Sequence, residues 1–318
     1  MTHARRVLRG HSYLLALLLL GIAIAVNVAL QDNFFMGRVL NGNLRVMLPL
    51  MILAAGQAIV IVAGGIDLSV GAMTSLVNTV LVTLIVPETG PIGILLAIAA
   101  GVGVGALAGA VNGASVALLR LQPIVTTYAT SFLFSGVALA VLPRPGGSLP
   151  RGLVRFYRDA PLGIPVAAFG ILVLVVAWLL LRRTRFGQYL YAVGGEAGGA
   201  RASGVPVAAV RFWSYVTMGV FSAFSALVLT MSIGTGNARI GDGMTLPSIV
   251  AVVLGGTRLS GGQGGVVGAV IGVAILTIIR NIISFAGVPT WYQTLVDALI
   301  ILAALAGPGA VRLLRKRA

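Results

Sequence analysis

The chain is 318 residues long, with 58% hydrophobic residues, only 9% charged ones and a mean hydropathy of +1.04. Soluble proteins carry about a quarter of their residues as charges, so this composition excludes a soluble globular domain and implies a polytopic membrane protein. Cysteine is absent, and two histidines and seven acidic residues leave little for metal or general-base chemistry, while disulfides, cysteine-ligated zinc and thiol catalysis are excluded.

A formal charge of +15 would suggest nucleic-acid binding in a soluble domain. Here the basic residues flank apolar runs, where the positive-inside rule places them. Arg5, Arg6 and Arg9 precede the first run, and Arg312, Arg315, Lys316 and Arg317 follow the last. Arg182, Arg183, Arg185 and Arg201 occupy the longest polar central stretch. Membrane lipid, not nucleic acid, is the expected partner.

A helix needs about 20 apolar residues to cross the hydrocarbon core. In chain order the apolar windows fall near 12–30, 45–63, 70–86, 92–118, 124–142, 162–181, 208–233, 246–257, 265–284 and 291–307. The first has a basic flank like a signal peptide but no small-x-small cleavage site, and is read as a retained span. No period-2 barrel pattern appears, so the expected fold is an all-α transmembrane bundle of about ten segments in one domain, 1–318. The window 246–257 is too short to cross alone and is expected to be broken or re-entrant. An even count puts both termini on one side; if that side is the cytoplasm, 14 of the 22 basic residues lie inside and 8 outside. The bias is modest because the loop from Pro143 to Pro161 carries Arg144, Arg151, Arg155 and Arg158 outside.

A glycine motif occurs twice. Val62-Ala-Gly-Gly-Ile-Asp67-Leu-Ser-Val-Gly71 is matched by Val253-Leu-Gly-Gly-Thr-Arg258-Leu-Ser-Gly-Gly262, aligning Gly64, Gly65 and Ser69 with Gly255, Gly256 and Ser260. Each copy ends one apolar run and begins another. Gly-interrupted segments in two halves of a chain mark a transport pathway; glycine-capped helix ends are the plainer reading. Asp67 and Arg258 occupy equivalent positions with opposite charge, which suggests an ion pair across the repeat.

Leu259-Ser-Gly-Gly-Gln263 spells the signature of ATP-binding cassette ATPases, but those enzymes also need a phosphate-binding loop with a lysine. The only lysine is Lys316, so the match is read as coincidence. Gly101, Gly105 and Gly109, and Gly264, Gly268 and Gly272, form i, i+4 ladders that predict close helix packing.

Between the sixth and seventh windows runs Arg182-Arg-Thr-Arg-Phe-Gly187-Gln-Tyr-Leu-Tyr-Ala-Val-Gly194-Gly-Glu196-Ala-Gly-Gly-Ala200-Arg201-Ala-Ser203-Gly204-Val-Pro206. Glu196 suits the start of a short helix, Arg201 its end, and Gly204 a C′ position before Pro206. This stretch resembles the cytoplasmic ATPase-docking segment in permeases of the ribose-type branch of ABC sugar importers. The resemblance extends through Gly64–Gly71, Asn112-Gly113, Gln122-Pro123, Gly255-Gly256 and Asn281 to Gln293, nearly the whole chain. It implies a multi-pass permease of the bacterial inner membrane, without cofactor or bound metal, working with an ABC ATPase subunit, an extracytoplasmic solute-binding protein and a second permease. It also implies a coupling loop over about 182–206, with Gly187, Gly195, Glu196, Gly199, Ala200, Arg201, Ser203 and Gly204 in it. The chain departs from the family where Glu196 replaces the usual Asn and Gly198 and Gly199 replace Glu and Ala. Each mid-helix glycine costs about 1 kcal/mol relative to alanine. The alternative for this stretch is a solvated polar loop.

Gln57, Asn78, Asn112, Thr126, Thr127 and Asn281 lie in or at apolar windows. Any one of them is expected to bond between helices, and some of the set to line a wet path. The path candidates are Gln57, Gly64, Gly65, Asp67, Ser69, Asn112, Thr127, Gly255, Gly256 and Asn281. Arg280 and Asp297 are expected to pair in the last hairpin, with Trp291 and Tyr292 in an interfacial belt. An ion-gradient transporter is the competing function, with Asp67 and Asp297 as its only candidate ion sites. A membrane enzyme lacks the clusters that catalysis needs.

Overall fold

Helices that are apolar all round can be satisfied only by lipid or by other helices, and the chain divides its helices between these two fates. The computed structural model describes residues 13–289 together with 291, 292, 295, 298 and 299. Among them are twelve α-helices: α1 (Leu14–Leu30), α2 (Gly37–Val62), α3 (Val70–Leu84), α4 (Pro91–Gly113), α5 (Pro123–Val141), α6 (Arg151–Arg158), α7 (Val166–Leu181), α8 (Arg185–Gly195), α9 (Ala197–Ala202), α10 (Val207–Ile233), α11 (Thr245–Leu254) and α12 (Val266–Phe285). The protein is an all-α polytopic membrane bundle. The only strand-like pairing among the described residues is an isolated bridge between Gly146 and Gly236.

α2 is the axis: every residue from Met47 to Val62 is buried. α10 lies beside it and packs on α3 and α4 as well, while α11, α12 and α1 close the other side. α4 and α5 leave Leu95, Leu107, Tyr128 and Phe132 exposed, an apolar skin suited to lipid or to another chain. Among the described residues five helices are long and apolar enough to cross a membrane: α2, α4 with its extension to Leu118, α5, α10 and α12; α7 with α8 makes a sixth if that bent pair is one span. α1, α3 and α11 are shorter apolar helices.

Small residues set the α4–α10 crossing. A methyl on Gly105 would overlap the Gly219 carbonyl, one on Gly219 the Gly105 carbonyl, and one on Gly109 the Tyr215 carbonyl. Gly103, on the outward face of the same helix, has open space beside it. Gly105→Val is therefore expected to destabilise the bundle by at least the ~1–3 kcal/mol typical of overpacking. Gly103→Val should stay within a few tenths of a kcal/mol of the ordinary surface value. Thermal unfolding in detergent separates the two variants. The second ladder is only partly a ladder. Gly268 packs on Gly255 and Gly272 on Ala251, but Gly264 lies in the turn before α12 with φ +110°.

Two elements depart from the hydropathy windows. α2 begins at Gly37, eight residues before its window, because its polar first turns are covered by α6. Tyr157 of α6 donates to the Arg45 carbonyl at 2.8 Å, and Asn41 donates to the Arg158 carbonyl at 3.1 Å. Burial against this end pushes the Tyr157 hydroxyl pKa up. α6 itself carries three arginines in eight residues and falls below any hydropathy threshold.

The short window near 246–257 is the helical part of a broken crossing. α10 ends on Gly234 in the left-handed conformation (φ +86°). The chain then runs back along one face of α3: Gly236 against Val82, Asn237 N–H to Asn78 Oδ1 at 2.9 Å, and Gly241 N–H to Ser75 Oγ at 2.9 Å. Thr245 Oγ1 then accepts from Gly71 N–H at 3.2 Å. α11 thus starts part-way down the bundle, and its ten residues, about 15 Å at 1.5 Å each, complete the crossing. Non-helical backbone at this depth is tolerated because α3 side chains satisfy it. Trp291 and Tyr292 are exposed and stacked, centroids 3.8 Å apart. Asp297, the expected partner of Arg280, lies outside the described residues.

Candidate functional site

The first glycine motif is a break of seven residues, 63–69, between α2 and α3. Gly64 adopts φ +84°, which favours glycine. The backbone this break frees is satisfied by side chains. Asp67 is fully buried and its carboxylate accepts from Ser69 N–H (2.8 Å), Ser69 Oγ (2.7 Å) and Asn112 Nδ2 (3.1 Å). Asn112 Nδ2 also donates to Ser69 Oγ at 2.7 Å, while its Oδ1 accepts from Thr130 Oγ1 at 2.6 Å. Leu68 N–H donates to Thr127 Oγ1 at 2.9 Å, and the Tyr215 hydroxyl to the Ile66 carbonyl at 3.3 Å. The Gln57 amide, in the orientation that satisfies its surroundings, donates to the Asp67 carbonyl and accepts from its N–H, each at 3.3 Å. Four helices, α2, α4, α5 and α10, thereby fix one bend.

Asp67 and Arg258 do not pair. Arg258 is exposed in the second break, whereas Asp67 is enclosed by Ser69 and Asn112. A buried carboxylate is stabilised by the donors it accepts from, and here neutral groups supply all of them.

The second break, residues 255–265, meets the first at one point. Gly262 N–H donates to the Val62 carbonyl at 3.0 Å, joining the end of α2 to the turn before α12. The last turn of α8 closes over this junction. A methyl on Gly194 would overlap the Val62 carbonyl and lie 2.7 Å from Gly262 N; one on Gly262 would lie 2.6 Å from Gly195 Cα. The Tyr191 hydroxyl adds a bond to the Gly264 carbonyl at 2.8 Å. Backbone touches backbone at three successive sites, which only glycine permits.

α7 and α8 meet at 77°. Thr184 caps α8, accepting from Gly187 N–H at 3.2 Å, and Gly187 is held against the Leu181 carbonyl with no room for a side chain. Glu196 caps α9 by accepting from the N–H groups of Gly198 and Gly199. The two glycines therefore lie in the first turn, where a side chain would crowd the capping carboxylate, and not in a helix interior, where the propensity cost applies. At the other end Val205 N–H returns to the Ala200 carbonyl and Gly204 takes φ +82°, the C′ closure expected from its place before Pro206. Ala200 is buried; Arg201 and Ser203 are exposed.

The family model described as the permease component of branched-chain amino acid transport systems matches residues 39–305. The chain belongs to that permease family. It is 34% identical over 298 residues to the ribose import permease protein RbsC of Escherichia coli (strain K12), covering 91% of each chain. It is 36% identical over 258 residues to the RbsC of Bacillus subtilis, covering 80% of this chain and 79% of that one. The autoinducer 2 import system permease protein LsrC of Shigella flexneri is 35% identical over 269 residues, covering 83% and 77%. No solved structure matches the chain significantly. The permease is thus of the ribose-type ABC class that its motifs resemble.

In this permease Gln57, Asp67, Ser69, Asn112 and Thr127 gather into one network, with Gly64 and Gly65 beside it. Gly65 leaves no room for a side chain next to the Tyr215 hydroxyl. Asn281 stands apart, half-buried on α12, with its Nδ2 3.4 Å from Asn43 Oδ1 of α2. Gly255 belongs to the α11–α12 crossing through Gly268, and Gly256 turns the chain there with φ +85°. Gly194, Tyr191, Thr130, Tyr215 and Ser75 also belong to the site, and sequence reasoning misses them. Only Gly194 carries a signal, its place beside Gly195 in a segment already marked.

Proposed function

We propose that the permease translocates a monosaccharide or a related polyhydroxylated solute, delivered by an extracytoplasmic binding protein and driven by a separate ABC ATPase. The observation that carries this reading is the clasp: the segment from 182 to 206 seats Gly194 and Gly195 directly on both glycine breaks. A push on α8 and α9 from an ATPase therefore reaches the ends of α2, α3, α11 and α12 through backbone contact, without an intervening side chain to yield. The end that carries α8 and α9 faces the cytoplasm in this reading, and α6 faces outward. The sugar class is supported by the relatives' names.

Gln57, Asp67, Ser69, Asn112 and Thr127 are proposed to serve transport by holding the bend at which α3 starts, since all five are buried. A second copy or a related chain completes the path, with the exposed face of α5 available to it. The ion-gradient alternative finds little support at Asp67, because Ser69 and Asn112 already enclose the carboxylate.

Reconstitution tests the proposal. Vesicles holding the permease, its ATPase and the binding protein are expected to accumulate sugar only when ATP is supplied on the ATPase side. The Ala200→Trp variant, whose ring cannot enter the buried site under α9, should hydrolyse ATP while uptake falls at least about tenfold, a coupling loss of about 1.4 kcal/mol. Accumulation by the permease alone under an ion gradient would overturn the reading.

A further inference from the structure

At the α8–α9 end a cavity of about 610 Å³ opens between the end of α2, the α4–α5 link, α9 and the start of α10. Three arginines line it: Arg120 from the link, Arg201 from α9 and Arg211 from α10. Gln122, Ser214 and Tyr215 supply further polar groups, and no carboxylate lines it. None of the three arginines has a carboxylate partner among the described residues. Three cations gathered without a counter-ion repel one another, and an anion between them relieves that repulsion.

Arg120 is held there against its own backbone preference. It is the only described residue other than glycine with positive φ, +57°. α4 ends in a π-turn (Ala114–Leu118), after which Leu121 N–H returns to the Ser115 carbonyl at 3.1 Å, and Arg120 occupies the C′ position where glycine is the usual residue. The left-handed conformation is disfavoured for any residue with a Cβ. At this position arginine bears a backbone cost that glycine would avoid, and it contributes to the cavity lining.

Beside this cavity, and sharing Leu118, Arg120, Arg201, Val207 and Ala208 with it, lies a second of about 750 Å³ whose further lining includes Phe212 and Trp213. Leu118 and Trp213 are exposed. The pair of cavities is amphiphilic, with a cationic chamber continuous with an apolar, aromatic-edged one. A free phosphate fits only the first. A phospholipid fits both, its headgroup on the guanidiniums and an acyl chain over Leu118, Phe212 and Trp213. Basic pockets between helices at the cytoplasmic face suit anionic headgroups.

We infer that the double cavity is a binding site for one anionic phospholipid, whose phosphate is shared by Arg120, Arg201 and Arg211. Guanidiniums bind phosphate oxygens in a bidentate fork, so residues from three elements can share one headgroup. The bound lipid ties α9 to the α4–α5 link and to α10. That last consequence for transport rests on the function proposed above, whereas lipid binding is read on the purified full-length chain without ATP.

The experiment is native mass spectrometry of the delipidated full-length chain titrated with phosphatidylglycerol, phosphatidylcholine and inorganic phosphate. Phosphatidylglycerol should be retained at one site, phosphatidylcholine should not, and millimolar phosphate should fail to displace the lipid. Arg120→Gly and Arg211→Gln should each weaken retention about tenfold, the roughly 1.4 kcal/mol within reach of one charge-assisted pair. Arg120→Gly places glycine where φ is positive, so the delipidated variant should unfold no earlier than the parent, which separates lost binding from lost folding. Displacement by phosphate alone would make the ligand a free anion and overturn the inference. Retention unchanged in both variants, or lost whenever the ATPase subunit binds and supplies an acidic side chain, would overturn it as well.

Discussion

Gly194→Ala is expected to abolish uptake and to lower thermal stability, whereas Gly195→Ala leaves the unfolding midpoint where it was. The two glycines are neighbours in the same last turn of α8, with the same cost in helix propensity. They differ in what a methyl would meet. At Gly194 it overlaps the Val62 carbonyl and crowds Gly262 N, both backbone; at Gly195 it meets open space. Side chains yield to overpacking by changing rotamer, but a carbonyl at the end of α2 yields only if the helix moves. The destabilisation should therefore reach or exceed the top of the ~1–3 kcal/mol range for inserted methyls. Displacing α8 also breaks the Gly262–Val62 bond and the Tyr191–Gly264 bond that join the two breaks. Differential scanning of both variants, with uptake measured on Gly194→Ala, decides the matter. Equal midpoints for the two would mean that α8 rides loosely over the junction and transmits nothing through it.

That junction explains what could and could not be read from the sequence. The spans were legible because hydropathy is a local property, and nine of the ten windows coincide with described helices. The duplicated glycine motif was legible because both copies keep the same residues at the same spacing. What the motif does depends on distance in space. Gly64 and Gly262 are far apart in the chain, and nothing local indicates that Gly194 comes between them. The polar start of α2 and the whole of α6 were hidden for a related reason: each stabilises the other through Tyr157 and Arg45, and neither is apolar enough alone. Asp67 and Arg258 looked like partners because the repeat aligns them. Equivalence under an internal repeat aligns two residues in sequence without bringing them into contact, and here one is buried and the other exposed. The short eighth window was legible as an anomaly, yet its explanation required seeing Asn78 and Ser75 on the same face of α3, spaced to receive the backbone of 237–241.

The corrected partnership of Asp67 makes a sharper prediction than the ion pair did. Asp67→Asn should destabilise the permease because it removes an acceptor from a closed set of donors and turns an NH2 group toward the NH2 group of Asn112. Leaving buried donors unsatisfied costs about 1–3 kcal/mol, and the low-dielectric surroundings keep the effect toward the upper part of that range. The double variant Asp67→Asn with Asn112→Asp restores one carboxylate and one amide to the same space. The carboxylate moved onto α4 would accept from Thr130 Oγ1, Ser69 Oγ and the new amide. The amide oxygen in the bend would accept from Ser69 N–H, the bond that Asp67 now makes at 2.8 Å. At least half of the lost stability should return. The charge exchange Asp67→Arg with Arg258→Asp should recover none, since it places a guanidinium among donors and leaves the transferred carboxylate exposed in the second break. A double-mutant cycle by thermal unfolding measures both exchanges on one scale. Recovery by the charge exchange, with none from the amide exchange, would return Arg258 to Asp67 and dissolve the network through which α4 and α5 hold the bend.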